Sequence, residues 1–234
     1  MNSDKIELVL DIETAAFDFE SFSDSQKEFL MRYAEKEKDE EARAEKIEEV
    51  YRYLNSYPLT AKAIVIGLMN IHTGNRYILY ESDVPEERKN ETKKITYHGM
   101  SEKAMLVQFW NFAKKADRLI TFNGRQFDVP FLMFRSAVHG VRPTRNFIKS
   151  RYDTTTHVDL LDQFTFYGAV RKFNLDFYCR AFDIKSPKED GITGMEVKTL
   201  YDAGKIDEIA IYCGEDVLAT AKLFEIWNKY LNVR

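Results

Sequence analysis

At 234 residues, 44% of them apolar, the chain is long enough for a continuous core and reads as one domain over residues 1–234. A net charge of −4 excludes a protein that grips nucleic acid over its whole surface, and no apolar run approaches the roughly twenty residues that cross a bilayer, so no membrane is expected. Cys179 and Cys213 lack CxxC spacing and are too few for a disulfide framework; with no secretory signal expected at the amino terminus, they read as small core residues in a reducing, cytoplasmic setting.

Residues 6–12 read as the first strand, within the stretch Leu8-Val9-Leu10-Asp11-Ile12-Glu13-Thr14. With a period of two, Asp11 and Glu13 point to one face. Two like charges at a buried strand end need a cation between them, although an Asp-x-Glu taken alone also fits a solvated turn. Residues 18–55 then contain neither Gly nor Pro, and ten acids face six bases between Asp24 and Glu49, which is the composition of exposed helix. Phe29 with Tyr33, and Ile47, Val50, Tyr51 and Leu54, form apolar stripes at helical spacing. Glu28 with Arg32, and Asp39 with Arg43, are spaced to pair across one turn. This is a charged helical insertion after the first strand, either a solvated surface hairpin or an arm for a protein partner.

Residues 63–69 and 77–80, joined through His72-Thr73-Gly74-Asn75, read as a hairpin. A polar loop with Pro85 follows, and residues 95–97 add a little extended chain. Ser101 caps a helix carrying Leu106, Phe109, Trp110 and Ala113, with Glu102 favourably placed in its first turn. Residues 119–122 form the next strand, and Asp128, Val129 and Pro130 begin a helix that Gly140 ends. This alternation is of the α/β kind. Further on come a short strand at 158–160, a short helix at 174–182, a surface loop at 184–194, a helical turn or two at 195–203 and a long helix over 206–231. From Arg135 to Lys188 there are ten Lys or Arg against five Asp. Residues 139–152 hold Arg142, Arg145, Lys149 and Arg151 without an acid, which is where a phosphate backbone could lie.

On the last helix Tyr212 and Asp216 stand four residues apart and share a face. If the sheet brings the end of the first strand near them and near Asp128, then Asp11, Glu13, Asp128 and Asp216 converge. Hard oxygen ligands select Mg²⁺ or Mn²⁺ over zinc. Each residue has a plainer role: Asp128 could cap its helix, Tyr212 could be half-buried packing, and Asn123 could bond its own turn. Phe127 is read as core before a stacking platform, and His157 as a hydrogen-bonded structural residue.

Asp11-Ile12-Glu13-Thr14, the stretch from Asn123 to Asp128 with Pro130 and Phe131, and Tyr212 to Asp216 resemble the three motifs of the DEDD superfamily of 3′-5′ exonucleases, in its tyrosine subclass. The match is to stand-alone proteins similar to the proofreading exonuclease domain of family B DNA polymerases, and residues 157–162 and 205–209 also look like that group. The resemblance implies a ribonuclease-H-like α/β fold, a mixed central sheet flanked by helices. It implies two divalent ions held by Asp11, Glu13, Asp128 and Asp216, with Tyr212 orienting the attacking water. It also implies contacts to the terminal nucleotide from Asn123 and from the backbone around Ile12 and Thr14. The inserted residues after the first motif depart from the family pattern and put the family's route of substrate entry in doubt. The expected activity is release of nucleoside 5′-monophosphates from 3′ ends of single-stranded nucleic acid, DNA slightly ahead of RNA by resemblance alone. The alternatives are a catalytically silent nucleic-acid binder or a protein-interaction module on the same fold.

Overall fold

The computed structural model describes residues 5–186 and 194–233. In chain order the elements are β1 (Glu7–Ala16), α1 (Asp24–Met31), α2 (Glu40–Tyr53), β2 (Ala61–Asn70), β3 (Arg76–Glu81), β4 (Glu86–Asn90) and β5 (Ile95–Met100). They continue with α3 (Glu102–Lys115), β6 (Arg118–Thr121), α4 (Asp128–Val138), β7 (His157–Asp159), α5 (Leu160–Phe164), α6 (Leu175–Ala181), α7 (Gly194–Asp202) and α8 (Ile206–Tyr230). The strands form one mixed sheet in the order β4-β5-β3-β2-β1-β6-β7. β1 runs antiparallel to β2 and parallel to β6, and β6 runs parallel to β7. The expected mixed sheet flanked by helices is what forms, and no helix among the described residues is long and apolar enough to cross a membrane.

Both faces of the central strands are apolar, as strands covered on two sides must be. Leu8, Leu10 and Ile12 of β1 pack with Ile66 and Leu68 of β2 against Leu106, Phe109 and Trp110 of α3 and Val129, Phe131 and Leu132 of α4. On the opposite face Val9 lies in a cluster with Val217, Leu223 and Phe224 of α8, and Ala15 in one with Ile209 and Cys213 of the same helix. The sheet is thus a wall between α3–α4 and α8.

The structure departs from the sequence expectations in several places. β1 does not stop after its carboxylates: it continues to Ala16, paired with Ala61, through a register shift between Glu13 and Thr14. Such a bulge increases the local twist and turns the strand away from its neighbour. The stretch around Pro85, expected as loop, contains β4, whose five residues are all exposed. A charged strand at the edge of a sheet carries no apolar alternation and is held by its ladder to β5. Glu102 does more than favour the start of α3. It is buried, accepts from Arg135 at 2.7 and 2.8 Å and from the backbone N–H of Ala63 at 2.9 Å, and lies 2.7 Å from His139 Nε2. Burial alone would raise its pKa, but Arg135 and His139 hold it below the usual value.

The insertion is helical, as expected, and neither α1 nor α2 buries a residue. The expected one-turn ion pairs take other partners. Arg32 lies 3.5 Å over the Phe29 ring and donates to the Phe29 carbonyl, and Asp39 caps α2 by accepting from Ala42 N–H. Between the insertion and α4 lies a groove of about 820 Å³ lined by Phe29, Tyr33, Tyr53, Tyr57 and Phe134. Most of the loop expected over 184–194 lies outside the described residues.

Candidate metal centre

β6 pairs with β1 only from Glu7 to Val9. Beyond that point the edge of β1 is open, and the change from a parallel to an antiparallel neighbour makes this the place where open α/β sheets form their crevice. Period two sends Asp11 and Glu13 to the side that α8 covers, between Val9 and Ala15. One carboxylate oxygen each of Asp11, Glu13 and Asp216 lie within 4.8 Å of one another. Asp216 is buried, whereas Asp11 and Glu13 are half-buried.

Two features hold α8 against the sheet at this point. Gly67 of β2 sits opposite Asp11 in the ladder, and a Cβ there would stand 2.7 Å from Val217 Cγ2 and 2.8 Å from Cys213 Sγ. Glycine is therefore what lets the helix approach closely enough to bring Asp216 to Asp11. On the same turn of α8, the buried guanidinium of Arg76 donates to the Gly214 carbonyl at 3.0 Å and to Glu215 at 3.2 Å. Cys213, expected as simple core, also faces the carboxylates, its Sγ 3.6 Å from Asp11 Oδ2.

Asp128 comes to the open edge from the other face of the sheet. It begins α4, is buried, and accepts the backbone N–H of Ile12 at 3.0 Å through Oδ1. That N–H is thereby committed to the fold. The Thr14 hydroxyl is likewise engaged, donating to the Asn55 carbonyl at 2.7 Å and tying the end of the insertion to β1. Phe127 is half-buried against the α3–α4 core, its ring 5.6 Å from that of Phe131, as a core residue would be.

Burial, then the charges of Asp216, Asp128 and Glu13, pushes the Asp11 pKa well above the usual carboxylate range. Burial and the Asp216 and Asp128 charges do the same to Glu13. Asp128 is pushed up to about 7, chiefly by burial, with Asp159 and Asp216 adding to it and its backbone hydrogen bonds opposing. Among the described residues no lysine or arginine is ion-paired with Asp11 or Glu13. Tyr212 is buried and hydrogen-bonded to Asp216. Burial and then the Asp216, Glu13 and Asp11 charges push its pKa upward, so the phenol keeps its proton.

Residues 157–162, expected to include a short strand and similar to the same family, contain Asp159, whose role the structure shows. Its buried carboxylate accepts from the backbone N–H groups of Asn123 at 3.0 Å and Arg125 at 2.9 Å while capping α5 through Leu161 N–H. This clamps a turn in which Asn123 has φ +65° and a Cβ on Gly124 would meet Thr121 Cβ at 2.5 Å. The Asn123 side chain makes no hydrogen bond among the described residues. The readable signal was an aspartate at a strand end directly before a Leu-Leu pair, the pattern of an N-cap. His157 behaves as a structural residue. It is buried, its Nε2 is 2.9 Å from Thr121 Oγ1 and its Nδ1 3.2 Å from the Phe147 carbonyl. Burial, with the Arg125 charge adding to it, pushes its pKa down to about 3.

A seven-stranded mixed sheet of this order, with carboxylates gathered where β1 parts from β6, defines an α/β protein of the ribonuclease-H-like class. Residues 78–231 match the family described as a predicted 3′-5′ exonuclease related to the exonuclease domain of PolB, and the chain belongs to that family. The matched span contains Asn123, Asp128, Tyr212 and Asp216, while Asp11 and Glu13 precede it. Among solved structures, that of the family B DNA polymerase from the hyperthermophilic archaeon Pyrobaculum calidifontis is similar in fold, with a TM-score of 0.62 at 17% identity. The similarity covers 97% of this chain and 25% of the polymerase, so this chain spans about a quarter of that protein's length. No curated protein matches.

Proposed function

We propose that the protein is a metal-dependent 3′-5′ exonuclease of the tyrosine DEDD type, hydrolysing single-stranded nucleic acid to nucleoside 5′-monophosphates. The observation that carries this reading is the approach of Asp11, Glu13 and Asp216 to within 4.8 Å. Carboxylates so close and so poorly solvated repel one another, and divalent cations are the groups that reconcile them. The donor set is all carboxylate oxygen, which suits Mg²⁺ or Mn²⁺.

Asp11, Glu13 and Asp216 would hold the divalent ions, and Asp128 would join them through the oxygen that Ile12 does not use. Bound there, the cations would supply positive charge to activate a water and to stabilise the departing 3′ oxygen. Tyr212 would orient that water. An ordinary phenol is protonated at neutral pH and a poor base there, which leaves Tyr212 a positioning residue whose hydroxyl is hydrogen-bonded to Asp216. Asn123, on the turn clamped by Asp159, would meet the terminal nucleotide.

The test is hydrolysis of labelled single-stranded DNA and RNA with Mn²⁺, Mg²⁺ or chelator, comparing wild type with Asp11→Asn, Asp216→Asn and Tyr212→Phe. Both aspartate variants should lose nearly all activity and at least one bound ion, and Tyr212→Phe should keep metal but lose rate. Wild-type cleavage by both aspartate variants would overturn the reading.

A further inference from the structure

A chain of aromatic rings leads away from the carboxylates on the β7 side. Phe122, next to Asn123, lies 5.7 Å from Tyr178, which is 6.2 Å from Phe173, which stacks on Phe177 at 4.3 Å and 14°. The guanidinium of Arg171 lies 5.3 Å from the Phe173 ring. The inner rungs serve the core, since Tyr178 also stacks on Phe164. The outermost, Phe177, does not: it is 55% exposed, and Phe166, which belongs to the stretch between α5 and α6 and not to this chain of rings, is 58% exposed. Tyr152, 70% exposed, packs edge-on at 4.8 Å against Tyr167, the residue after Phe166. Phe166 and Tyr167 have φ of +48° and +61°, a left-handed conformation that bulky side chains avoid, held here on two successive aromatic residues. Core packing accounts for neither the exposure nor the strain.

The charge around these rings is positive. Ten bases face five aspartates from Arg135 to Lys188: Asp153 bonds Thr155 and Thr156, Asp159 binds backbone N–H groups, Asp162 pairs with Arg151, Asp176 pairs with Arg180, and Asp183 is exposed. Arg171 and Lys172 are exposed. On the opposite side of β1, the insertion tied down by Thr14 and Asn55 carries ten acids and six bases from Asp24 to Glu49. A polyanion ending at the carboxylates is repelled by one flank and attracted by the other.

We propose that the exposed aromatics Phe166, Phe177 and Tyr152, with Arg171 and Lys172, form a stacking surface for the unpaired bases of a single-stranded nucleic acid whose 3′ end lies at the carboxylates. This rests on the exonuclease reading above and adds the path of the strand: out over α5 and α6, away from the insertion. Every base has a face to stack, so the surface selects unpaired strands without selecting sequence.

The test is fluorescence anisotropy of a labelled oligothymidylate with the full chain in chelator, where turnover stops, together with hydrolysis of that strand and of a dinucleotide too short to reach the aromatic surface. Phe166→Ala and Phe177→Ala, both at exposed positions, should keep the wild-type thermal midpoint, bind the long strand roughly tenfold more weakly, and cleave the dinucleotide normally. Arg171→Ala combined with Lys172→Ala should reduce the slope of log affinity against log salt by about 1.4. Tyr33→Ala, in the insertion, should bind as wild type. Unchanged binding by both Phe variants, in a protein that cleaves both substrates, overturns the surface and leaves the exonuclease reading standing. A wild type that cleaves neither substrate with Mn²⁺ yet loses strand binding in the Phe variants overturns the exonuclease reading and supports the surface.

Discussion

The backbone N–H of Ile12 donates to Oδ1 of Asp128 at 3.0 Å, across the edge of β1 that β6 leaves open. One carboxylate therefore serves both as a structural acceptor and as a candidate ligand. Asparagine keeps the acceptor and alanine does not. In chelator, Asp128→Ala should unfold at lower denaturant than Asp128→Asn by about 1–3 kcal/mol, the cost of leaving a buried N–H unpaired. Both should lose nuclease activity. Equal stability of the two variants in urea titrations would show that this hydrogen bond does not hold the edge.

The mutual repulsion of Asp11, Glu13 and Asp216 makes a second prediction with a change of sign. Without cations, Asp11→Asn removes one of the charges that raise its neighbours' pKa values and should melt above wild type. With Mn²⁺ at about a hundred times its dissociation constant, wild type should gain about 2.7 kcal/mol and the variant much less, so their order reverses. Differential scanning calorimetry with chelator and with Mn²⁺ reads both halves, and a variant that gains as much as wild type would remove Asp11 from the ligand set.

Gly67 is the point of closest approach between sheet and last helix, with Val217 and Cys213 each under 3 Å from the position a Cβ would take. Gly67→Ala should cost about 1–3 kcal/mol through overpacking. Because Tyr212 and Asp216 ride on the displaced helix, activity should fall by more than the folded fraction does. Urea denaturation and turnover on the same preparations compare the two losses, and a parallel loss would make Gly67 a packing residue alone.

His157 predicts a pH dependence. Its folded pKa of about 3 lies below the ordinary 6.5, so between these values the unfolded chain takes up a proton that the folded one refuses. Stability from this group is complete above about pH 6.5 and is lost as the pH falls toward 3, by about 2 kcal/mol at pH 5. The cluster carboxylates act oppositely, since their raised pKa values favour the folded state at lower pH. The difference between wild type and His157→Gln isolates the histidine. That difference should vary with pH between 5 and 7, and a flat difference would contradict the prediction.

Local periodicity was enough to read much of this molecule. A period of two placed Asp11 and Glu13 on one face, a spacing of four placed Tyr212 and Asp216 on another, and Ser101 and Asn174 sit at the helix starts they cap. These are relations within a few residues, set by backbone geometry and by the need to satisfy the first N–H groups of a helix. The three motifs could thus be found one at a time.

Only the tertiary structure decided how they meet. The register of β1 against β2 set Gly67 opposite Asp11 and so admitted α8, and the early divergence of β6 left the edge that Asp128 fills. The same kind of long-range contact gave Glu102 its buried partners across the core and put Asp159 beneath the Asn123 turn. No local pattern encodes such contacts, because they join residues tens to two hundred positions apart. Their geometry follows from how the sheet twists and how closely helices can lie on it, which becomes defined only when the whole core is packed.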